Sequence, residues 1–393
     1  MGLFQKIFGY DDTQEKEKEN LRGYFKTLTA YTPAFTTWDG ALYESELVRS
    51  AIDARARHIS KLKIEFTGSA TGQLITNLRR NPNRFQTWSQ FLYRTSTILD
   101  VTNNCWIVPT EDGNGKTDGY IPILPQKTEL VRDENDDVWL RYKFANNTVG
   151  VIEYDRAALL TKHQYYNDFF GDNNRALDDT MKLIHLQNEG IEDAVKNSAT
   201  IRFTARVNNF TKTDDLARER DRFAEANLRG NANNGGILLF PNVYSDIKQV
   251  ESKPYTVDAE QMEQIRTNVF NYFAVNEDVL QSKAFGDSWS AFYESVCEVF
   301  AIQFSDTMTK TIFSPFEISN GNSVIATANR LQYLSNSDKL AVSSQMADRG
   351  LMTINEIREI WNLPPFENGD VPVARGEYYT QENLTEGEND EGI

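Results

Sequence analysis

Residues 177–195 read LDDTMKLIHLQNEGIEDAV, and this stretch with its counterpart downstream decides the architecture of the chain. Apolar residues recur along it at steps of four and three, with one interruption at Asn188, which predicts a long amphipathic helix. A second such helix is predicted near Asp258, whose side chain can cap the first turn while Gln261 reaches back. The apolar stripes are Leu177, Met181, Ile184, Ile191 and Val195 in the first helix and Met262, Ile265, Val269 and Tyr272 in the second. The two helices bracket an insertion.

The insertion, residues 200–256, reads as a small α/β module. It is slightly basic in an acidic chain, with nine Lys and Arg against seven Asp and Glu from Thr200 to Lys253. Its predicted elements are a strand at 201–207, a charged helix at 214–228, a Gly/Asn turn at 230–236 and a strand at 237–240.

Arginines alternate with acids along the charged helix of the insertion. This pattern is typical of a solvated helix surface whose side chains pair within the helix. Alternatively, Arg218, Arg222 and Arg229, spaced by one or two turns on one face, bind a partner protein or a neighbouring copy of the chain. The sequence leaves both interpretations open.

Mixed helix and strand patterns precede the first long helix. A helix-then-strand pattern at 46–66 recurs at 88–108. Turn residues at 112–115 and 133–137 predict two hairpins, because Gly, Asn and Asp tolerate positive φ. We therefore expect residues 21–170 to form one α+β domain.

An aromatic-rich helix is predicted after a Gly-containing loop at 276–288. Apolar residues recur on it every four positions: Phe292, Val296, Phe300, Phe304 and Met308. Such a face fits an interface between subunits formed by Phe292, Phe300 and Phe304. It fits equally well a core within one chain, and the sequence does not decide between the two.

The C-terminal part contains two further predicted helices, beginning at Ser337 and Thr353. Gly350 ends the first, and Thr353 with Glu356 forms a capping box for the second. Residues 376–393 carry six acids and no Lys or Arg, so we expect a disordered tail. At the other end, residues 1–20 read as an exposed arm.

Composition excludes several classes of protein. With 393 residues, 40% of them hydrophobic, the chain can fill the cores of two or three domains. Its net charge of -16 argues against a general nucleic-acid wrapper. Cys105 and Cys297 have no disulfide or zinc spacing and read as buried free thiols. No segment fits a signal peptide or a membrane span, so we expect synthesis in a cytoplasm and no membrane partner.

No motif predicts catalysis, a cofactor or a metal. His58, His163 and His185 lie in separate elements without metal-ligand spacing and read as structural. Asp133–Asp137 lacks the glycine and the terminal Glu of a calcium loop, which favours a solvated hairpin tip. Phosphate-binding loops and nucleophile motifs are absent from the sequence. An acidic carbohydrate-active enzyme stays an alternative, although no two catalytic carboxylates can be chosen.

Several stretches resemble the phage portal protein family. The C-terminal stretch MADRGLMTINEIR at 346–358, followed by Leu363-Pro364-Pro365 and Gly369-Asp370, is similar to the family's C-terminal signature. Shorter similarities span residues 45 to 372 in order. They are Arg49 to Asp53, Asn81-Pro82-Asn83 ahead of Trp88, Asn104 to Ile107, Leu159 to His163, and Phe273 to Leu280.

This resemblance implies an α+β, multi-domain portal fold. The parts it implies are an N-terminal arm (1–20), a mixed α/β wing (21–175 and 289–334), two long stem helices (176–199 and 257–275), a small α/β clip (200–256), a tunnel loop (276–288), a helical crown (335–375) and an acidic tail (376–393).

The resemblance also implies a function and partners. Portal proteins form a ring, commonly a dodecamer, at one capsid vertex, through which double-stranded DNA is packaged and ejected. Implied partners are the terminase large subunit, the major capsid and scaffolding proteins, and the head-tail connector or adaptor. The chain would be found in the virion and, during assembly, in the host cytoplasm. Another capsid or adaptor protein is the main alternative.

The resemblance places candidate site residues in two parts. The tunnel-loop residues expected to line the DNA channel are Asn276, Ser282, Lys283, Phe285 and Trp289, and the clip residues expected to dock partners are Arg218, Arg222 and Arg229. A basic channel would hold DNA by counterion release, so we expect a mostly acidic or neutral channel with few contacts.

Overall fold

The computed structural model describes residues 26–31, 36–37, 40–41, 43, 45–144, 146–198, 202–207, 213–227, 244–250, 259–284, 286–328 and 336–374. The predicted arm, the acidic tail, Asp258, and the turn and strand at 230–240 lie outside these residues.

The chain divides into two compact units. Unit 1 comprises Met1–Asp178 and Thr267–Ile393, and unit 2 comprises Asp179–Arg266. The predicted insertion belongs to unit 2. We expected residues 21–170 to form one domain by themselves. Instead, the compact unit that contains them also includes Thr267–Ile393.

Helices occur at nearly all positions where the apolar periodicity predicted them. In the described residues they are α1 (Glu46–Ile59), α2 (Gln73–Leu78), α3 (Trp88–Thr102), α4 (Asp178–Ser198), α5 (Thr213–Asn227), α6 (Ala259–Tyr272), α7 (Glu277–Leu280), α8 (Gly286–Phe292), α9 (Glu298–Ile312), α10 (Pro315–Ser319), α11 (Asn336–Asp348) and α12 (Ile354–Ile360).

The strands pair antiparallel throughout the described residues. They are β1 (Lys26–Tyr31), β2 (Thr36–Thr37), β3 (Gly40–Ala41), β4 (Lys63–Thr67), β5 (Asn104–Glu111), β6 (Thr117–Ile123), β7 (Lys127–Arg132), β8 (Val138–Lys143), β9 (Val149–Glu153), β10 (Ala158–Thr161), β11 (Arg202–Val207), β12 (Tyr244–Val250), β13 (Ser323–Thr327), β14 (Arg349–Thr353) and β15 (Pro372–Ala374).

Unit 1 is built around two sheets. One has the order β1-β7-β8-β9 and the other β10-β5-β6. Inward-facing side chains of both sheets, among them Trp106, Leu130 and Leu140, share a core with Phe170. A third pair joins distant parts of the sequence, since β13 aligns Ser323 with Thr67 of β4. This pairing is one of the contacts that join the residues after 267 to unit 1.

Both predicted hairpins are confirmed. Asp112 Oδ1 accepts hydrogen bonds from the backbone N–H groups of Asn114 and Lys116 in the β5–β6 turn. Asp133 Oδ1 accepts from Asn135 and Asp137 in the β7–β8 turn. Asp133 therefore stabilises the turn itself, in agreement with the hairpin-tip interpretation.

The aromatic-rich helix contains a π-helical segment, Tyr293–Cys297, between α8 and α9. Side chains spaced every four residues would shift progressively around an α-helix, because one turn contains only 3.6 residues. A wider π turn takes up this drift. Phe292, Val296, Phe300, Phe304 and Met308 are accordingly all buried, none exposed by more than 5%.

Candidate functional site

Buried charges of unit 1 meet at Asp100, near the end of α3. Asp100 Oδ2 accepts a hydrogen bond from Arg55 Nε of α1 at 2.9 Å. Asp100 Oδ1 accepts one from Lys162 Nζ, just after β10, at 2.5 Å. The Asp100 side chain is 1% exposed and that of Lys162 is 19% exposed. This cluster ties together three elements that are far apart in sequence.

Two cations surround this single carboxylate. Burial alone would raise the pKa of Asp100, but the charges of Arg55 and Lys162 hold it below its ordinary value. Burial lowers the pKa of Lys162, and the charge of Asp100 only partly opposes this. The pKa of neighbouring His163 is lowered by burial and then by the positive charges of Lys162 and Arg55. These effects favour the neutral form of the His163 imidazole.

The charge cluster also holds the end of α6. Arg55 Nη1 donates a hydrogen bond to the carbonyl oxygen of Phe273 at 2.5 Å. Tyr272 Oη donates to Asn174 Oδ1 at 2.6 Å. The Lys162 ammonium lies 6.0 Å from the centroid of the Phe273 ring. The last turn of α6 is thus fixed to α1 and to the segment before α4.

An amide network surrounds the cluster. Asn174 Nδ2 donates to the carbonyl oxygens of Asp100 and Val101 at 3.1 and 2.8 Å. Asn103, in the left-handed region with φ 58°, donates from Nδ2 to Asn174 Oδ1 at 2.7 Å. Gly171 packs against the backbone of Lys162, and a Cβ at position 171 would be only 1.9 Å from the Lys162 carbonyl oxygen. These contacts fix the backbone where the chain enters α4.

Helix α6 ends in a Schellman motif. The N–H of Val275 donates to Phe270 O at 2.9 Å, and that of Ala274 donates to Asn271 O at 3.1 Å. Ala274 has φ 52°, a conformation in which glycine is usual. Val275 and Phe270 are both buried, as the apolar contact of this motif requires.

The loop after α6 folds on itself. Asn276 Oδ1 accepts a hydrogen bond from Val279 N at 2.9 Å and so caps α7. The Asp278 carbonyl oxygen accepts from the N–H groups of Lys283 and Ala284 at 2.7 and 3.1 Å. Ser282 reverses the chain with φ 59°. The loop is therefore a compact turn that follows the fixed end of α6. We call the buried cluster that holds this end, Arg55, Asp100 and Lys162, the Asp100 anchor.

The predicted channel residues differ in exposure. Asn276, Ser282 and Lys283 are exposed, and Lys283 Nζ donates to Gln281 Oε1 at 2.6 Å. Phe285 lies outside the described residues. Trp289 is only 6% exposed and stacks on Tyr293, with ring centroids 5.2 Å apart. This burial corrects the expectation that Trp289 contacts DNA, because its ring face is occupied inside the chain.

The predicted interface residues are also corrected. Phe304 is 0% exposed and contacts the rings of Phe91 and Trp88. Phe300 stacks on Phe304 at 5.8 Å, and Phe292 meets the His58 ring edge-on at 5.2 Å. All three phenylalanines fill the core of their own chain, so none offers its side chain to a neighbouring subunit. The alternative that the sequence left open, an intrachain core, is the observed one.

Two of the predicted docking arginines, Arg218 and Arg222, lie on the exposed helix α5. Arg218 and Arg222 pair with Asp215 and Glu219 at 4.0 and 3.5 Å, each three residues away. Their side chains are 82% and 73% exposed. These pairs fit the solvated-surface interpretation and leave both guanidinium groups accessible. Arg229 lies outside the described residues.

Sequence reasoning missed the charge cluster at Asp100. One signal was present, since Asp100 follows Ile98 and Leu99 and so is a charge within an apolar stretch near the end of a helix. Its partners could not be identified, because Arg55 and Lys162 are 45 and 62 residues away. The free thiols were predicted correctly, as Cys105 and Cys297 are both buried and unpaired.

In the part of the chain that the structure describes, no group of His, Cys, Asp and Glu is arranged to hold a metal ion. None of the described helices is long and apolar enough to cross a lipid bilayer.

Comparisons with known proteins identify relatives. A family model described as "Phage portal protein" matches residues 46–362. The chain is similar to a chain of the neck of an empty GTA particle computed with C6 symmetry, with TM-score 0.59 and 11% identity over 83% of this chain and 92% of that chain. No curated protein matches the sequence.

Two further solved structures are similar. A chain from the neck of a native GTA particle computed with C12 symmetry has TM-score 0.57 and 12% identity over 83% of this chain and 92% of that chain. An HK97-family phage portal protein from Corynebacterium diphtheriae has TM-score 0.44 and 11% identity over 76% and 96%. At these identities the neck structures show a shared fold.

Proposed function

The chain belongs to the phage portal protein family, and we propose that its copies form a ring at one capsid vertex through which double-stranded DNA is packaged and ejected. Membership makes the chain a structural protein and not an enzyme. The observation that carries the proposal is the family match over residues 46–362, which includes the Asp100 anchor, the loop after α6 and the first part of the C-terminal stretch, residues 346–358.

The parts of the chain take portal roles in this proposal. Unit 2, Asp179–Arg266, would supply the clip at 200–256 and most of both stem helices. Unit 1 supplies the wing, the tunnel loop and the crown. The arm and the tail, at 1–20 and 376–393, lie outside the described residues.

We propose twelve copies in the ring. A related neck was computed with C12 symmetry and another with C6 symmetry, and both symmetries are compatible with twelve subunits. A ring needs a heterologous interface that closes, in which each subunit uses two different surfaces. In the virion this ring would contact the major capsid protein, with scaffolding proteins present during assembly.

The loop after α6 faces the DNA in this proposal. Lys283 and Ser282 are exposed, while Glu277, Asp278 and Asp287 give residues 276–288 an acidic balance. A mostly acidic channel that makes few contacts with the duplex lets it slide, because few phosphates are neutralised and few counterions are released. The Asp100 anchor and the Schellman motif would hold each copy of the loop at the same place.

Exposed arginines of the clip would dock partners. Arg218 and Arg222 present guanidinium groups at the surface of α5, and Arg229 follows that helix in sequence. Guanidinium groups form bidentate bonds with carboxylates, so an acidic surface of the terminase large subunit or of the head-tail connector fits them.

Electron microscopy of the purified chain tests the ring. We expect negative-stain images to show rings with a central hole. A compact monomer, a closed shell or a filament at the same protein concentration would contradict the proposal.

Packaging assays test the loop. We expect Lys283→Ala combined with Phe285→Ala to form rings but to alter the rate of DNA packaging. Lys116→Ala, at the exposed tip of the β5–β6 hairpin, is the matched control and should package like wild type. Unchanged packaging by the loop variant, with rings intact, would remove these residues from the channel.

A further inference from the structure

Two neighbouring tyrosines stand out on the surface of unit 1. Tyr165 is 81% exposed and Tyr166 is 87% exposed, more than any other large apolar or aromatic side chain in the described residues. Their rings pack against each other edge-on, with centroids 4.8 Å apart. We name residues 163–172, which read HQYYNDFFGD and follow β10, the tyrosine loop.

Side-chain amides hold the tyrosine loop in one conformation. Asn167 Oδ1 accepts hydrogen bonds from the N–H groups of Phe169 and Phe170 at 2.9 and 3.2 Å. Asn167 Nδ2 donates to Thr29 Oγ1 of β1 at 2.5 Å. Gln164 Nε2 donates to the carbonyl oxygen of Asn167 at 3.1 Å. The amides on both sides of the tyrosine pair therefore fix its backbone.

The ends of the tyrosine loop are fixed as well. The N–H of Asp172 donates to the carbonyl oxygen of His163 at 3.1 Å and closes the loop. The N–H of Gly171 donates to Asn104 Oδ1 of β5 at 2.7 Å. Phe170 is 1% exposed and belongs to the core of the two sheets. A loop held in this way cannot turn its two tyrosines inward, so an isolated copy keeps both rings in water.

The tyrosine pair offers a large area for association. A buried aromatic side chain removes about 150–250 Å² from water, so the two rings offer about 300–400 Å². A standard interface buries about 800 Å² on each partner, and the pair alone would supply close to half of one side. Tyrosine is enriched in the buried centres and energetic hot spots of interfaces. Rings on a fixed backbone also lose little conformational entropy on binding.

We propose that Tyr165 and Tyr166 form the centre of the contact between neighbouring copies of this chain. The proposal rests on the proposed function, which needs a closing contact between copies, and it assigns one of the two surfaces of that contact. In a heterologous contact the pair meets a different surface of the next copy. A contact of this kind suits chains that each carry -16, because burial of aromatic area needs no opposite charge on the neighbour.

Mass photometry and negative-stain images of the full-length chain test the proposal. The test variant combines Tyr165→Ser and Tyr166→Ser, which leaves the amides of Gln164 and Asn167 in place. The matched control combines Phe316→Ser and Leu340→Ser, which removes two side chains of 76% and 63% exposure from α10 and α11. Circular dichroism and urea unfolding report separately on the fold of both variants.

We expect the fraction of rings in the tyrosine variant to fall at least tenfold at a concentration where wild type is mostly assembled, with the control close to wild type. Ring formation by the tyrosine variant at the wild-type level would overturn the proposal. Equal losses in both variants would show a general effect of apolar area and overturn it too. Absence of rings in wild type would instead contradict the proposed function itself.

Photocrosslinking gives a second measurement that does not depend on losing the ring. The chain carries p-benzoylphenylalanine in place of Tyr166, and tagged and untagged copies are mixed before irradiation. We expect crosslinked products that contain both kinds of copy, in larger yield than with the same photoreactive residue in place of Phe316. Crosslinks confined to one chain, for example to its residues 1–25, would assign the pair to an intrachain contact and overturn the proposal.

Discussion

At the scale of single residues, Asp100 balances two buried cations. Asp100→Asn keeps the shape of the side chain but leaves Arg55 and Lys162 without a counter-charge. Removing one partner of a buried ion pair costs about 3–5 kcal/mol, and we expect a loss of this size in the free energy of unfolding measured with urea. Asp136→Asn is the control, because its pair with Arg132 is exposed and contributes less than about 1 kcal/mol. Similar small losses in both variants would contradict the role of Asp100.

The same carboxylate predicts a pH dependence. The pKa of Asp100 is lower in the folded chain than in the unfolded chain, so folding favours its ionised form. This contribution is complete above the unfolded pKa of about 4 and is lost as the pH falls through the folded pKa. The stability gap between wild type and Asp100→Asn should therefore narrow in strongly acidic buffer. A gap that stays constant from about pH 7 to pH 2 would argue against it.

Gly171 is constrained by space and not by its φ angle. A Cβ at this position would be 2.7 Å from the Asn103 carbonyl oxygen and even closer to that of Lys162. We expect Gly171→Ala to destabilise the chain by about 1–3 kcal/mol in urea unfolding, because the backbone must shift. Gly113→Ala has no atom within 4 Å of its Cβ and should change stability by less than about 0.5 kcal/mol.

At the scale of elements, the end of α6 carries a strained residue. Ala274 has φ 52° at a position where a Cβ costs about 1–2 kcal/mol, partly offset by the greater unfolded-state freedom of glycine. Ala274→Gly should therefore stabilise the chain by about 0.5–1 kcal/mol in thermal or urea unfolding. Ala291→Gly, on the exposed side of α8, should destabilise by about 1 kcal/mol. The same sign for both substitutions would show that the Schellman motif is not strained.

At the scale of the whole molecule, net charge opposes the proposed ring. Each chain carries -16, and salt screens repulsion between copies over about 10 Å at 0.1 M. We expect mass photometry to show a larger fraction of rings as salt rises from about 20 to 500 mM. A ring fraction that falls with salt would show that attractive charge pairs drive assembly.

Local patterns in the sequence identified most elements. The capping box at Thr353 and Glu356 is confirmed, with hydrogen bonds of 2.7 and 3.2 Å. The hairpin turns at 112–115 and 133–137 are also confirmed, because Asp side chains bond to backbone groups two to four residues away. The Schellman motif escaped prediction because alanine stands where glycine is the usual signal. In each case the interaction is complete within a few residues.

The sequence by itself determined the family, the order of helices and strands, and the acidic character of the protein, since these depend on periodicity, turn chemistry and composition. Only the tertiary structure decided that Phe300 and Phe304 fill a core, that Trp289 is buried, and that Arg55, Asp100 and Lys162 meet under the end of α6. An apolar stripe shows that a side chain will be buried but not against what. That choice depends on contacts between residues far apart in the chain, which exist only once the backbone has folded.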